Sequence, residues 1–112
     1  MFIYTKEFSK LWSEIFGTYE NLRELEDFLL ENPKAGNVIK GTNGLRKLRW
    51  KTEGKGKRGG LRILYVDFEN YNILFFISLI KKNDKENISS MEQNIMNNLI
   101  FELERSLKVY YT

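Results

Sequence analysis

LRILYVDFENYNILFFISLI, residues 61–80, decides the fold. Leu61 to Phe68 reads as one strand and Tyr71 to Ile80 as the next, joined near Glu69-Asn70. The later strand is apolar on both faces, which places it centrally in a sheet and covered on both sides. Upstream, Leu45 to Trp50 alternates in the manner of a strand, with Lys47 and Arg49 on one face and Leu48 and Trp50 on the other. Lys51 to Gly60 lies between these strands and holds four glycines and five charged positions, the composition of a mobile loop or wide hairpin. Ahead of them, Gly36, Gly41 and Gly44 mark a further loop.

Farther out the pattern becomes helical. Phe8, Leu11, Trp12, Ile15 and Phe16 recur at spacings of three and four, predicting a short amphipathic helix that ends at Gly17. Thr18 is placed to cap a second helix with Leu22, Leu25, Phe28 and Leu29 as its stripe, and Asn32-Pro33 stops it. Phe2, Ile3 and Tyr4 read as an edge strand. At the other end, Ser89 with Glu92 forms a capping box for a last helix running to about Val109. Met91, Ile95, Leu99, Leu103 and Leu107 supply much of its apolar stripe. The order strand, helices, three strands, helix predicts an α+β fold: an antiparallel sheet of about four strands with two N-terminal helices and one C-terminal helix.

The chain has 112 residues, enough for one domain spanning 1–112. Apolar residues make up 42% and charged residues 29%, a globular rather than disordered composition. There is no cysteine and no histidine. A disulfide scaffold and a thiolate zinc site are excluded, and so is the usual general base, so catalysis here runs on other groups. The first residues, with Glu7 among them, do not read as a signal peptide, and none is expected. The apolar run Ile73 to Ile80 is far short of the roughly 20 residues that span a bilayer. A cytoplasmic protein without membrane contact and without cofactor or metal is expected.

The net charge of +3 is unevenly placed. From Lys40 to Arg62 there are nine basic residues against the single acid Glu53, a local charge of +8, while the remaining nine basic and fourteen acidic residues leave the rest at −5. Cations on a sheet face are costly unless they meet water or an anion, so they imply a solvated, phosphate-binding concavity. Arg62 can sit across from Lys47 or Arg49 on one face, each holding a phosphate oxygen or stabilising charge that develops on it. Trp50 and Tyr65 are candidate platforms for stacked bases. A solvated basic hairpin with no catalytic role is the plainer alternative. The spacing Gly54-Lys55-Gly56 matches neither a phosphate loop nor a dinucleotide fingerprint.

Three segments, in order, add a resemblance. Leu45-Arg46-Lys47-Leu48-Arg49-Trp50 followed by Gly54-Lys55-Gly56-Lys57-Arg58-Gly59-Gly60-Leu61-Arg62-Ile63-Leu64-Tyr65 resembles the core motif of RelE/HigB-type toxins of bacterial type II toxin–antitoxin systems. Asn32-Pro33-Lys34-Ala35-Gly36-Asn37-Val38-Ile39-Lys40-Gly41-Thr42-Asn43-Gly44 resembles that family's lead-in, and Ile77-Ser78-Leu79-Ile80-Lys81-Lys82 is similar to its strand end. Together they cover roughly residues 32 to 92.

The resemblance implies a RelE-like fold and a ribosome-dependent mRNA endonuclease that cuts messenger in the decoding site. The implied chemistry uses no metal: a ribose 2′-hydroxyl attacks the neighbouring phosphate. It assigns catalysis to Lys47 (base or orienting group), Arg49 (phosphate), Arg62 (phosphate stabilisation) and Lys82 (protonation of the leaving oxygen). A lysine crowded by other cations loses its proton more readily, which fits such a site. Arg46, Lys55, Lys57, Arg58, Trp50, Tyr65 and Lys81 are the expected RNA-binding residues. The family's stacking tyrosine near the C-terminus has no counterpart, because that region reads Glu86-Asn87-Ile88-Ser89-Ser90. Implied partners are the ribosome and its messenger, and a cognate antitoxin covering the basic surface, with operator DNA reached only through that antitoxin.

Two competing readings use the same residues. A non-catalytic RNA- or ribosome-binding module would share the basic face and its salt dependence. A DNA-binding regulator fits less well, since the cations sit on strands and loop rather than on a recognition helix. A metal nuclease has only Glu53 as a carboxylate in the basic segment.

Overall fold

Two long strands form the centre of the molecule because both are apolar on alternate and adjacent positions alike. β4 (Leu61–Phe68) and β5 (Ile73–Lys81) run antiparallel through eight paired positions and are joined by a single 3₁₀ turn, Glu69–Tyr71, closed by Asn72 at φ +57°. The computed structural model describes residues 1–50, 60–81 and 88–111. Around this hairpin are β1 (Phe2–Tyr4), α1 (Lys6–Phe16), α2 (Leu22–Glu31), β2 (Asn37–Val38), β3 (Arg46–Trp50) and α3 (Ser90–Tyr110). They build one sheet in the order β1-β5-β4-β3-β2, with α1 and α2 on one face and α3 on the other.

The sheet has five strands, and all pairs are antiparallel except β1 with β5, which is parallel. The extra strand, β2, is only two residues long and sits inside the stretch that reads as a loop. β4 rather than β5 occupies the central position, because β1 adds to the outer edge of β5. β5 is nonetheless covered on both faces along most of its length, as its composition demands.

Each face has its own core. Phe8, Trp12, Leu25 and Leu29 from α1 and α2 pack on Leu48, Leu61, Ile63, Tyr65, Leu74 and Phe76. On the opposite face Ile100 and Leu107 of α3 pack on Leu64, Val66, Phe68, Ile73 and Ile77. Each such large side chain stabilises the fold by about 1.5–3 kcal/mol. Ile77 belongs to the α3 face because the β4–β5 register shifts between Leu64 and Tyr65, an irregularity that leaves it opposite no partner residue.

The helix ends follow local chemistry. Thr5 caps α1 through its hydroxyl, which accepts from the Phe8 N–H at 3.0 Å, and Gly17 closes it at φ +73°, where glycine meets no Cβ penalty. Thr18 does not cap α2. Its hydroxyl accepts from Glu20 N–H at 3.3 Å in a turn, and Asn21 holds the cap position. The Ser89–Glu92 capping box is present as read. The buried stripe of α3 follows expectation at Leu103 and Leu107 and differs nearer its start: Met91, Ile95 and Leu99 are exposed, while Ile100 is buried and Met96 packs beside it. The Lys51 to Gly60 hairpin falls, up to residue 59, outside the described residues. Among the described residues, no helix is long and apolar enough to cross a membrane.

Candidate active site

The alternation of β3 sends Arg46, Leu48 and Trp50 towards α1 and α2, and Lys47 and Arg49 towards the face that carries α3. Register does the rest. Arg49 is paired with Arg62 of β4, Lys47 with Leu64, and Asn37 of β2 with Lys47. Directly paired residues share a face with Cβ atoms about 4.5–5.5 Å apart, so these side chains are neighbours. Lys47, Arg49 and Arg62 line one open cleft of about 350 Å³, together with Ala35, Asn37 and Leu48. Arg62 is only 5% exposed, and both it and Lys47 have interaction partners within the chain. The cleft's described lining holds three cations and no carboxylate, and among the described residues no group of three or more acidic, cysteine or histidine side chains is placed to hold a metal ion. Such a surface donates hydrogen bonds and draws anions, a phosphodiester above all.

The rim on the β2 side is held by a set of hydrogen bonds that the sequence gives no hint of. The Tyr65 hydroxyl donates to the Pro33 carbonyl at 2.8 Å and accepts from the Gly36 N–H at 3.0 Å. Arg46 donates to the carbonyls of Gly36 and Lys34 at 2.7 and 3.2 Å. Lys34 in turn donates to Asp67 and Glu69, both at 2.8 Å. These contacts pin residues 33–36 onto β3 and β4, so that Asn37 enters its strand at a fixed place. Gly36 permits the close approach: a Cβ there would lie 3.0 Å from the Tyr65 ring and 3.1 Å from the Lys47 carbonyl. Burial pushes the Tyr65 phenol above its ordinary value, and its hydrogen bond with Gly36 opposes this only in part. Hydrogen bonds with Lys34 hold the Glu69 carboxyl below its ordinary value and, reciprocally, raise the Lys34 ammonium.

Of the expected catalytic residues, Lys47, Arg49 and Arg62 are brought together, and Lys82 lies outside the described residues. Lys55, Lys57 and Arg58 lie outside them as well. The remaining expected RNA contacts are on the other face. Tyr65 is fully buried and offers no ring surface to a base, which corrects its assignment as a stacking platform. Arg46 is committed to two backbone carbonyls, and half-buried Trp50 packs on Phe28 with ring centroids 5.6 Å apart. Lys81 is exposed and paired with Leu61, away from the cleft. Sequence reasoning missed Ala35 and Asn37, because a two-residue strand is too short to show alternation. A larger hollow, of about 540 Å³, lies beside Lys34 with Met1, Phe28 and Leu30 among its walls. Its one cationic side chain is engaged by two carboxylates, and the Met1 ammonium beside it donates to the Asn72 carbonyl at 3.0 Å, so the smaller cleft is the one whose lining is dominated by cations.

The class of molecule this architecture defines is a small α+β protein with a cationic cleft on one sheet face. Residues 30–107 match the family model described as the RelE toxin of the RelE/RelB toxin–antitoxin system. That match spans well over half of the chain, and the chain belongs to this toxin family. A solved structure of a mutant of the E. coli toxin RelE in the free state is similar to it at 20% sequence identity, with a TM-score of 0.56, over 76% of this chain and 85% of that one. The likeness shows a shared fold.

Proposed function

We propose that the chain is a ribosome-dependent mRNA endonuclease, acting in the cytoplasm as a single domain and neutralised by a cognate antitoxin that covers its basic surface. The observation that carries this reading is the convergence of Lys47, Arg49 and Arg62 on one cleft, with Arg49 directly opposite Arg62. With a messenger phosphodiester between the two guanidinium groups, both donate to its non-bridging oxygens and stabilise the charge that accumulates there. Lys47, two residue pairs along the ladder and on the same face, takes or orients the proton of the 2′-hydroxyl. The 2′-oxygen forms a bond to phosphorus, the bond to the 5′-oxygen breaks, and that oxygen receives a proton, in this reading from Lys82. The products are a 2′,3′-cyclic phosphate and a 5′-hydroxyl. The membership in a toxin–antitoxin family supports the reading.

The test is to induce the protein and map messenger ends. Wild type arrests growth and leaves cuts positioned within codons. Arg62→Ala, with Arg62→Gln as the less disruptive companion, cuts about 100- to 1,000-fold more slowly while associating with ribosomes near normally. Cutting that survives both changes overturns the site. Ribosome binding without any cutting by wild type favours the non-catalytic RNA-binding module.

A further inference from the structure

Asn37 stands out in the cleft by its chemistry. Arginine and charged lysine only donate hydrogen bonds, whereas a carboxamide also accepts them. Among the side chains described in the cleft lining, Asn37 is the one neutral hydrogen-bonding group. It is exposed, and its side chain makes no hydrogen bond to any described residue. Its backbone, by contrast, is firmly placed: it pairs with Lys47, and the preceding residues are held by Tyr65, Arg46 and Lys34. The carboxamide is thus held at the cleft and open to a hydrogen bond with a bound ligand.

A phosphate presents only acceptors, and the three cations already match it. While they are charged, as when substrate binds, those side chains cannot accept a hydrogen bond from a ribose hydroxyl. We propose that the Asn37 carboxamide oxygen accepts a hydrogen bond from the 2′-hydroxyl of the nucleotide whose phosphate lies at Arg49 and Arg62, and so distinguishes RNA from DNA and orients the attacking oxygen. This rests on the nuclease reading. Strand spacing fits the placement: strands lie about 4.8 Å apart, so Asn37 on β2 stands one strand from Lys47 and two from Arg62. Lys47 then stands beside the hydroxyl on the neighbouring strand, where in its uncharged form it takes the proton as the 2′-oxygen attacks the phosphorus. A 2′-hydroxyl is what allows a protein to tell RNA from DNA at a given position.

The experiment compares binding of single-stranded RNA and of DNA of the same sequence to the free protein, beside cleavage of messenger on ribosomes. Wild type prefers RNA by about two- to twelvefold, the effect of one hydrogen bond. Asn37→Ala abolishes that preference by weakening RNA binding alone, keeps the salt dependence set by the cations, and slows single-turnover cutting by about 10- to 100-fold through loss of orientation. Asn37→Asp, which keeps an acceptor, binds both nucleic acids more weakly through its charge but retains the preference for RNA. A preference that persists in Asn37→Ala, or equal weakening of RNA and DNA in it, overturns the assignment, as does loss of preference in Asn37→Asp. If wild type cuts messenger and only the preference fails to move, Asn37 alone is misassigned. If wild type neither binds RNA nor cuts messenger, the nuclease reading falls and takes this inference with it.

Discussion

Arg49 of β3 stands directly opposite Arg62 of β4, two like charges on the face that bears α3. Like charges at paired positions destabilise a sheet by roughly 0.2–1 kcal/mol, and burial of Arg62 sharpens the effect. An anion bound in the cleft that both side chains line would offset this repulsion. Arg49→Gln is therefore expected to raise stability by a few tenths to about 1 kcal/mol while slowing messenger cleavage at least tenfold. Thermal melts read alongside cleavage rates check this. A variant that melts lower than wild type shows that the pair is not strained, and removes the argument from strain to function.

Tyr65 tests the rim of the cleft. Tyr65→Phe keeps the ring in the core but leaves the Pro33 carbonyl and the buried Gly36 N–H without their partner. The expected loss is about 1–3 kcal/mol, read by denaturant unfolding. Gly36→Ala costs a similar roughly 1–3 kcal/mol by another route, since the new Cβ presses on the Lys47 backbone at 3.1 Å. It should also slow cleavage, because the strain falls between Lys47 and Asn37. Unchanged stability in both variants would mean that residues 33–36 are not held by these contacts.

The difference between Tyr65 and Lys47 explains what the sequence discloses and what it hides. Alternation along Arg46–Trp50 correctly separates Lys47 and Arg49 from Leu48 and Trp50, because a strand's period of two is a local property. Whether an aromatic among cations stacks on a ligand or lies in a core depends on which face a distant helix covers, and Tyr65 is claimed by α1 and α2. Likewise β2 exists only because Arg46, Tyr65 and Lys34 draw its approach onto β3, through contacts spanning 10 to 35 residues of sequence. No window of residues 33–38 contains that information. The apolar residues of α3 form two stripes, and only tertiary packing chooses between them.

The Lys34 ion pairs give a pH dependence with a defined sign. The Glu69 carboxyl is held below its ordinary 4.5 by Lys34, so its contribution to stability is present above pH 4.5 and is lost as pH falls through the lowered native value. The Lys34 ammonium is held above its ordinary 10.5, so its contribution is present below pH 10.5 and is lost as pH rises through the raised value. The melting-temperature gap between wild type and Lys34→Met should thus be widest between these limits and close at either extreme. Because Lys34 and Glu69 are exposed, the gap is small and narrows further with salt. A gap that stays constant across pH would mean that the lysine acts through its aliphatic stem alone.

The choice of stripe on α3 has a direct consequence. Ile95 is 56% exposed and Ile100 is 0% exposed, five positions further along the same helix. At 3.6 residues per turn those positions lie about 140° apart, so one rotation of the helix cannot bury both. Ile100 contacts the core that includes Leu64, Val66 and Ile77, and its truncation leaves a cavity there. Ile100→Ala is expected to destabilise the fold by about 2–5 kcal/mol, while Ile95→Ala stays within about 0.5 kcal/mol of wild type. Urea unfolding of the two variants compares them directly. The reverse ranking would require α3 to turn Met91, Ile95 and Leu99 towards the sheet in place of Ile100.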